Sequence, residues 1–317
     1  MKSTTSASVN PSPRYIRPKY FANHLSDQQD YCLFLDIDGT LADFTLNPKD
    51  SVIPNSTLML LQKIQRCGIK IAIVTGRSLA EAKQMLSPLT LPIAATHGLE
   101  IAFNSGVSDV KHNQNNTADV VSVDSAELAK IRQVIVQSCH LYNDLSLENK
   151  PYSVALHFRK DPTLAERAYS IMTTTLKNHP DWVLKPGKFV WEIVPKGVNK
   201  GTAILTLLKK MDADTHLCPI FIGDDMTDEA GFIAVQDHYS SIEKDHRVVK
   251  GMGIKVGSDA TCAHYYVNDI PEATVLLSSF MSFCQTRHTV RSELADVDSS
   301  LPKITRGQVY EPINCLI

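Results

Sequence analysis

The stretch that most constrains the fold of this chain is Tyr31 to Thr40, YCLFLDIDGT. Cys32, Leu33, Phe34 and Leu35 form a continuous apolar run that delivers two carboxylates, Asp36 and Asp38, and breaks at Gly39. A short apolar run bounded by turn residues suits a strand buried on both faces of a parallel sheet, and such sheets carry their ligand sites beyond the carboxyl ends of their strands. Side chains two apart in extended chain point the same way, so Asp36 and Asp38 converge as the strand ends. Two anions this close repel. Either one carries a proton or a cation holds them together, and an all-oxygen cluster favours Mg2+. An ordinary Asp-Gly turn with solvated acids has the same local sequence, so the decision rests on what matches it downstream.

The rest of the chain bounds the setting. Its 317 residues are enough for about two domains, and 43% hydrophobic against 21% charged residues is the balance of a soluble globular protein. Lys and Arg total 32 against 34 for Asp and Glu, which leaves no global field for nucleic acid or an anionic membrane. Seven cysteines are scattered without a C-x-x-C pair, the pattern of reduced thiols in a cytoplasmic protein. The amino terminus lacks an apolar signal core, and no run reaches bilayer-spanning length. Cys315 stands third from the end, one place too late for a prenylation box.

Residues 1–28, rich in Ser, Pro and Asn, are expected to be a flexible arm, with the folded chain beginning near Tyr31. Asn55 or Ser56 is expected to cap a helix that stops at Gly68. A second buried strand, Ile69 to Val74, ends in Thr75-Gly76-Arg77, and Ser78 opens another helix. Pro92 to Thr96 reads as a third strand, ending in His97-Gly98-Leu99-Glu100. Strand alternating with helix implies right-handed parallel crossovers. From about 104 to 195 the pattern changes to a polar loop with Asn113 to Asn116, two helices and several strands, an α+β insert suited to covering a site on the first domain. From Gly197 the parallel pattern resumes: a helix to about Met211, the strand Pro219 to Ile222, and a second acid-rich strand end, Gly223-Asp224-Asp225-Met226-Thr227-Asp228-Glu229. Residues 285–317 are read as a partly ordered tail.

Asp36-Ile37-Asp38-Gly39-Thr40 resembles the first motif of the haloacid-dehalogenase (HAD) superfamily of phosphotransferases. Thr75, Lys200 and Asp224 with Asp228 match its other three motifs in order and strand context. The resemblance covers about residues 30 to 283 and implies a HAD-like, doubly wound parallel-sheet core (29–103 and 196–284) with an inserted α+β cap (104–195). It implies that Asp36 attacks phosphorus to give an aspartyl-phosphate and that Asp38 protonates the leaving oxygen and then activates water. Thr75 and the neighbouring backbone then hold phosphate oxygens, Lys200 supplies positive charge, and Asp36, Asp38 (through its carbonyl), Asp224 and Asp228 form or brace the Mg2+ site.

Within that superfamily the insert is similar to the caps of bacterial trehalose-6-phosphate phosphatases, on Leu147-Glu148-Asn149-Lys150, Val154 to Arg159, Gly187-Lys188 and Glu192-Ile193-Val194-Pro195. The similarity implies that Glu148, Lys150, Lys188 and Glu192 read sugar hydroxyls, with Gly76, Arg77, Glu100 and Arg159 also assigned to the substrate. His157, in an alternating strand, is expected to be structural. The implied enzyme is a Mg2+-dependent phosphoric monoester hydrolase, expected to be a cytoplasmic monomer acting on a small sugar phosphate. Two rivals remain at this point. One is a related HAD phosphatase for sucrose phosphate or mannosyl-phosphoglycerate; the other is a non-catalytic sugar-phosphate sensor, whose expected mark, loss of Asp36, Asp38 or Asp224, is missing here.

Overall fold

Alternate residues of the first motif strand enter two different cores, and this sets the layering of the molecule. The computed structural model describes residues 12–103, 117–118, 123–211, 217–237, 239–241 and 248–300. The strands of its first half are β1 (Arg14–Tyr15), β2 (Asp30–Leu35), β3 (Lys70–Val74), β4 (Ile93–Ala95), β5 (Glu100–Ala102) and β6 (Thr117–Ala118), with helices α1 (Asn55–Arg66) and α2 (Leu79–Leu86) between them. Next come α3 (Ser125–Cys139), β7 (Ser146–Asn149), β8 (Val154–His157), α4 (Ala165–Leu176), β9 (Trp182–Gly187) and β10 (Val190–Pro195). The chain returns through α5 (Lys200–Met211), β11 (Leu217–Gly223), α6 (Glu229–Gln236), the antiparallel pair β12 (Tyr239–Ser241) and β13 (Val248–Lys250), β14 (Met252–Val256), β15 (Tyr265–Val267) and α7 (Ile270–Ser300).

Among the described residues the main sheet has the order β1-β15-β14-β11-β2-β3-β4-β5-β6, parallel except where β5 and β6 extend one edge. From β2 the chain winds outward through β3 and β4, and on its return it winds the other way from β11 through β14 and β15. The reversal lies between β2 and β11, where an open α/β sheet leaves its ligand crevice. Leu33 and Leu35 join Ile71 and Ile73 against α1, α2 and α7, whereas Cys32 and Phe34 join Ala72 and Val74 against α5 and α6. Burial on both faces explains why these strands read as unbroken apolar runs.

The insert forms a separate antiparallel sheet, β7-β8-β10-β9, backed by α3 and α4. Its period-two alternation is complete. Val154, Leu156 and Ile193 pack with Leu128, Ile131 and Met172, while the row Glu148–Ala155–Glu192–Lys185 runs across the opposite face.

Three expectations change. Residues 12–28 are not a loose arm: β1 pairs with β15, and a 3-10 helix at Pro18–His24 seats the fully buried Phe21 6.2 Å from Phe280. Helix α1 begins at Asn55, so that residue is already helical and the cap position falls to Pro54, whose side chain has no oxygen to accept from the first N–H groups. Gly68, at φ +81, does stop it. Helix α7 runs past Gln285 to Ser300, tied back where Arg287 donates to the Gln29 carbonyl (2.7 Å) and Asp30 (3.1 Å). Residues 1–11, the 113–116 loop and the end of the tail with Cys315 lie outside the described residues. No described helix is long and apolar enough to cross a membrane.

Candidate active site

Strand register brings the two acid-rich ends together. Leu35 pairs with Ile222, and the Asp36 N–H donates to the Ile222 carbonyl (3.0 Å), so β2 and β11 deliver Asp36 and Asp224 side by side. Gly39 lets Asp224 come this close: it sits at φ +76, and a Cβ there would stand 2.0 Å from Asp224 Oδ2. Lys200, at the start of α5, places its buried ammonium 3.1 Å from Asp36 and 2.7 Å from Asp228. The second Asp228 oxygen accepts from the backbone N–H groups of Asp224 and Asp225 (both 3.0 Å), so this side chain braces the loop.

Burial and mutual repulsion govern these acids. Burial pushes the Asp36 carboxyl well above its usual range despite Lys200, with Asp228 and Asp224 adding to the rise. Burial, then Asp225 and Asp228, push Asp224 up to about 8; burial raises Asp228 to about 6 against the pull of Lys200. Burial pulls the Lys200 ammonium down, but Asp228 and Asp36 outweigh it and hold the group well above its usual range. Oxygens of Asp36, Asp224 and Asp228 all lie within 4.8 Å of one another, and Asp224 Oδ1 is buried without a hydrogen-bond partner. An all-carboxylate donor set with an unpartnered buried oxygen fits a hard divalent cation.

Beyond β3, Thr75 is fully buried and its Oγ1 accepts from the Arg77 N–H (3.2 Å). Arg77 grips Asp38 with two parallel bonds, Nε to Oδ2 at 2.7 Å and Nη2 to Oδ1 at 2.6 Å, and also donates to the Pro48 carbonyl. The guanidinium assigned to substrate thus stands on the acid assigned to proton transfer.

The polar face of the cap sheet lies over this crevice. Lys150 Nζ donates to the Gly76 carbonyl (2.7 Å) and to Glu192 Oε2 (3.1 Å), and Glu192 also accepts from Ser153 (2.5 Å) and meets His97 Nε2 (3.1 Å). Burial would raise the Glu192 carboxyl, but Lys150 and His97 outweigh it and hold the group well below its usual range. Glu148 pairs with His157 (2.8 Å), so the histidine read as structural stands on a candidate cap carboxylate in the wall of the cleft. Lys188 and Arg159 both reach over the Phe44 ring, 4.3 Å and 5.3 Å from its centroid, and Arg159 donates to the Thr45 carbonyl.

One cleft therefore gathers Asp36, Asp38, Gly76, Arg77, Glu148, Lys150, Arg159, Lys188, Glu192 and Lys200. Glu100 stands apart: its carboxylate accepts from Thr96 Oγ1 (3.2 Å) and the Leu79 N–H (3.4 Å), where it supports the start of α2. Sequence reasoning passed over Phe44, in a loop without periodicity, and Asp225, whose neighbours in the acid run drew the attention. It also passed over Lys255, a buried lysine in an apolar strand that donates to the Asp224 carbonyl.

The trehalose-phosphatase family model matches residues 34–271. The trehalose-6-phosphate phosphatase of Escherichia coli strain K12 is 30% identical over 243 residues, covering 76% of this chain and 83% of the relative. The probable trehalose-phosphate phosphatase E of Arabidopsis thaliana is 27% identical over 83% of this chain and 73% of its own length. In fold, the C-terminal domain of the trehalose-6-phosphate phosphatase of C. albicans superposes with a TM-score of 0.69 over 87% of this chain and 99% of that domain, at 21% identity. The family match spans both strand ends that build the acidic crevice and the whole cap sheet above it, and on that ground the chain belongs to the trehalose-phosphatase family.

Proposed function

We propose that this chain hydrolyses trehalose 6-phosphate to trehalose and inorganic phosphate. The observation that carries the reading is the meeting, in one cleft, of a lysine-paired carboxylate at a strand end with a cap face that carries the buried Glu192–Lys150 pair. Asp36 attacks phosphorus as the sugar oxygen leaves, giving an aspartyl-phosphate, and water then cleaves that bond to release phosphate. Lys200, 3.1 Å from Asp36, offsets charge on the nucleophile and the phosphoryl oxygens. Asp38 gives a proton to the leaving oxygen and takes one from the attacking water; to do so it must exchange the Arg77 fork for that proton. Asp36, Asp224 and the Asp38 carbonyl would hold Mg2+, with Asp228 as brace; when bound, the ion neutralises phosphoryl charge.

Residues 104–195 act as the selecting cap. Glu148, Lys150, Lys188 and Glu192 both donate and accept, as sugar hydroxyls require, and a wrong sugar leaves them unpaired. The cap opens and closes about the crossings near 104, outside the described residues, and near 195, where Gly197 takes φ +84.

Phosphate release from a panel of trehalose 6-phosphate, sucrose phosphate and mannosyl-phosphoglycerate tests the reading. Trehalose 6-phosphate is expected to give the highest kcat/KM by at least roughly 100-fold, as a site with unpaired polar groups discriminates. Faster turnover of another sugar phosphate would reassign the substrate, and binding without phosphate release would make the chain a sensor.

A further inference from the structure

His97 stands in the most distinctive turn of the chain and has no part in the transfer scheme above. Thr96 and His97 lie at φ 47 and 57 and Gly98 at φ 104, three successive left-handed residues of which two carry side chains. Non-glycine residues hold that conformation where the surroundings over-determine it. Here the Thr96 N–H donates to the Arg77 carbonyl (2.8 Å) and the His97 N–H to the Thr75 carbonyl (3.0 Å), so the turn is stitched to the loop that follows β3.

The imidazole fills a gap that only glycine leaves. A Cβ on residue 76 would stand 2.8 Å from the ring's Cε1. From that seat the ring reaches across to the cap, Nε2 lying 3.1 Å from Glu192 Oε2, with both side chains under 10% exposed. Lys150 closes a circuit, bound to Glu192 Oε2 on one side (3.1 Å) and to the Gly76 carbonyl on the other (2.7 Å). Gly76, His97, Glu192 and Lys150 thus form a ring of contacts with two members from the core and two from the cap.

We propose that His97 is a positioning residue for sugar recognition: seated on Gly76 of the core, it aims the Glu192 carboxylate, and through it the Lys150 ammonium, into the cleft. The proposal rests on the reading of Glu192 and Lys150 as groups that bind sugar hydroxyls. It makes the cap's selectivity depend on a core side chain that touches neither phosphorus nor the leaving oxygen. A ring present only to fill space would affect every substrate alike.

The test compares wild type, His97→Phe and His97→Gln on trehalose 6-phosphate and on p-nitrophenyl phosphate, a monoester with no sugar. Phe keeps a ring on Gly76 and deletes Nε2, while Gln returns an amide nitrogen at similar reach. Loss of a buried hydrogen bond to a charged group should raise KM for trehalose 6-phosphate roughly tenfold to a hundredfold in His97→Phe, more than it lowers kcat. The loss in kcat/KM on p-nitrophenyl phosphate should be at least about fivefold smaller, and His97→Gln should recover part of the sugar-specific loss. Should His97→Phe fail to fold, the same comparison is made between Glu192→Gln alone and Glu192→Gln with His97→Gln, where the second change should cost less than it does in wild type. Equal losses on both substrates, or full additivity in that cycle, would overturn the proposal. Wild type that turns over p-nitrophenyl phosphate but ignores trehalose 6-phosphate would sink the functional reading and this inference with it.

Discussion

Asp36 in the core and Glu192 in the cap are each 4% exposed, yet burial acts on them in opposite company. Around Asp36, one ammonium, Lys200, is shared with Asp228 while Asp224 and Asp225 press from the side, and burial with this repulsion drives the carboxyl up. Around Glu192, Lys150, His97 and the Ser153 hydroxyl together outweigh burial, and the carboxyl stays low. The core cluster has more anions than cations, a balance that a bound divalent cation would restore. The cap cluster is already neutralised, so a ligand that enters it has to trade hydrogen bonds rather than charge. That difference is what the proposed sugar-phosphate substrate calls for, with charge at one end and hydroxyls at the other.

The comparison breaks most sharply at Asp36. Asp36→Asn keeps the shape, removes the nucleophile and relieves a buried acid, so kcat should fall by roughly 10^4-fold or more while thermal stability holds or rises. Phosphate-release assays and a melting curve on the same sample check both halves. Turnover within tenfold of wild type would remove Asp36 from the chemistry.

Cation binding comes next. In the metal-free protein Asp224 is raised from 3.8 to about 8, so the folded state holds a proton that the unfolded chain releases, and stability falls as pH rises between those values. A divalent ion needs the ionised carboxylate. Mg2+ at about a hundredfold over its dissociation constant should then stabilise by about 2.7 kcal/mol, and at a fixed concentration by more at pH 8 than at pH 6. Melting curves with Mg2+ and with EDTA at the two pH values measure this; a shift that shrinks toward pH 8 would contradict the anion excess.

In the cap the sign reverses. Glu192 is depressed below its ordinary 4.5, so its contribution is complete above that pH and is lost as pH falls through the folded value. Glu192→Gln should cost roughly 2 kcal/mol near neutrality, since Lys150 then keeps a buried charge with a weaker partner. The gap to wild type should be flat from pH 6 to 8 and close below about 4.5. A gap that widens on acidification would mean that Glu192 is not held as a carboxylate.

This asymmetry was only half legible in the sequence. The apolar runs ending in Asp36 and Asp224 announce buried strands with acids at their ends, because burial on both faces leaves no room for alternation. That these two strands are neighbours, although paired residues such as Leu35 and Ile222 stand far apart in the chain, is a fact of topology that only the likeness to a known family suggested. The cap residues were found the same way, but their partners were not: Arg77 on Asp38 and His97 on Glu192 join segments with no local pattern in common. Residues 12–28 were misread for a related reason. Ile16 and Phe21 are single anchors in a Ser- and Pro-rich stretch, too few to make a period, and β1 is two residues long.

The smallest expected effect tests whether the cap cations that meet a core aromatic ring follow the same rule as Glu192. Lys188 and Arg159 meet the face of Phe44, a core residue, at 4.3 Å and 5.3 Å from the centroid. A cation over an aromatic face gains about 0.5–2 kcal/mol, less than a buried ion pair stands to lose when broken, and it leaves the cation free to turn toward an arriving substrate. Phe44→Leu keeps apolar bulk and removes the electron-rich face. KM for the sugar phosphate should rise about two- to fivefold with kcat within about twofold, and stability should change by less than about 1 kcal/mol. If Phe44→Leu instead lowers KM, the ring is holding Lys188 and Arg159 away from the substrate, and this part of the cap, unlike the Glu192 cluster, binds its ligand only after a contact has been given up.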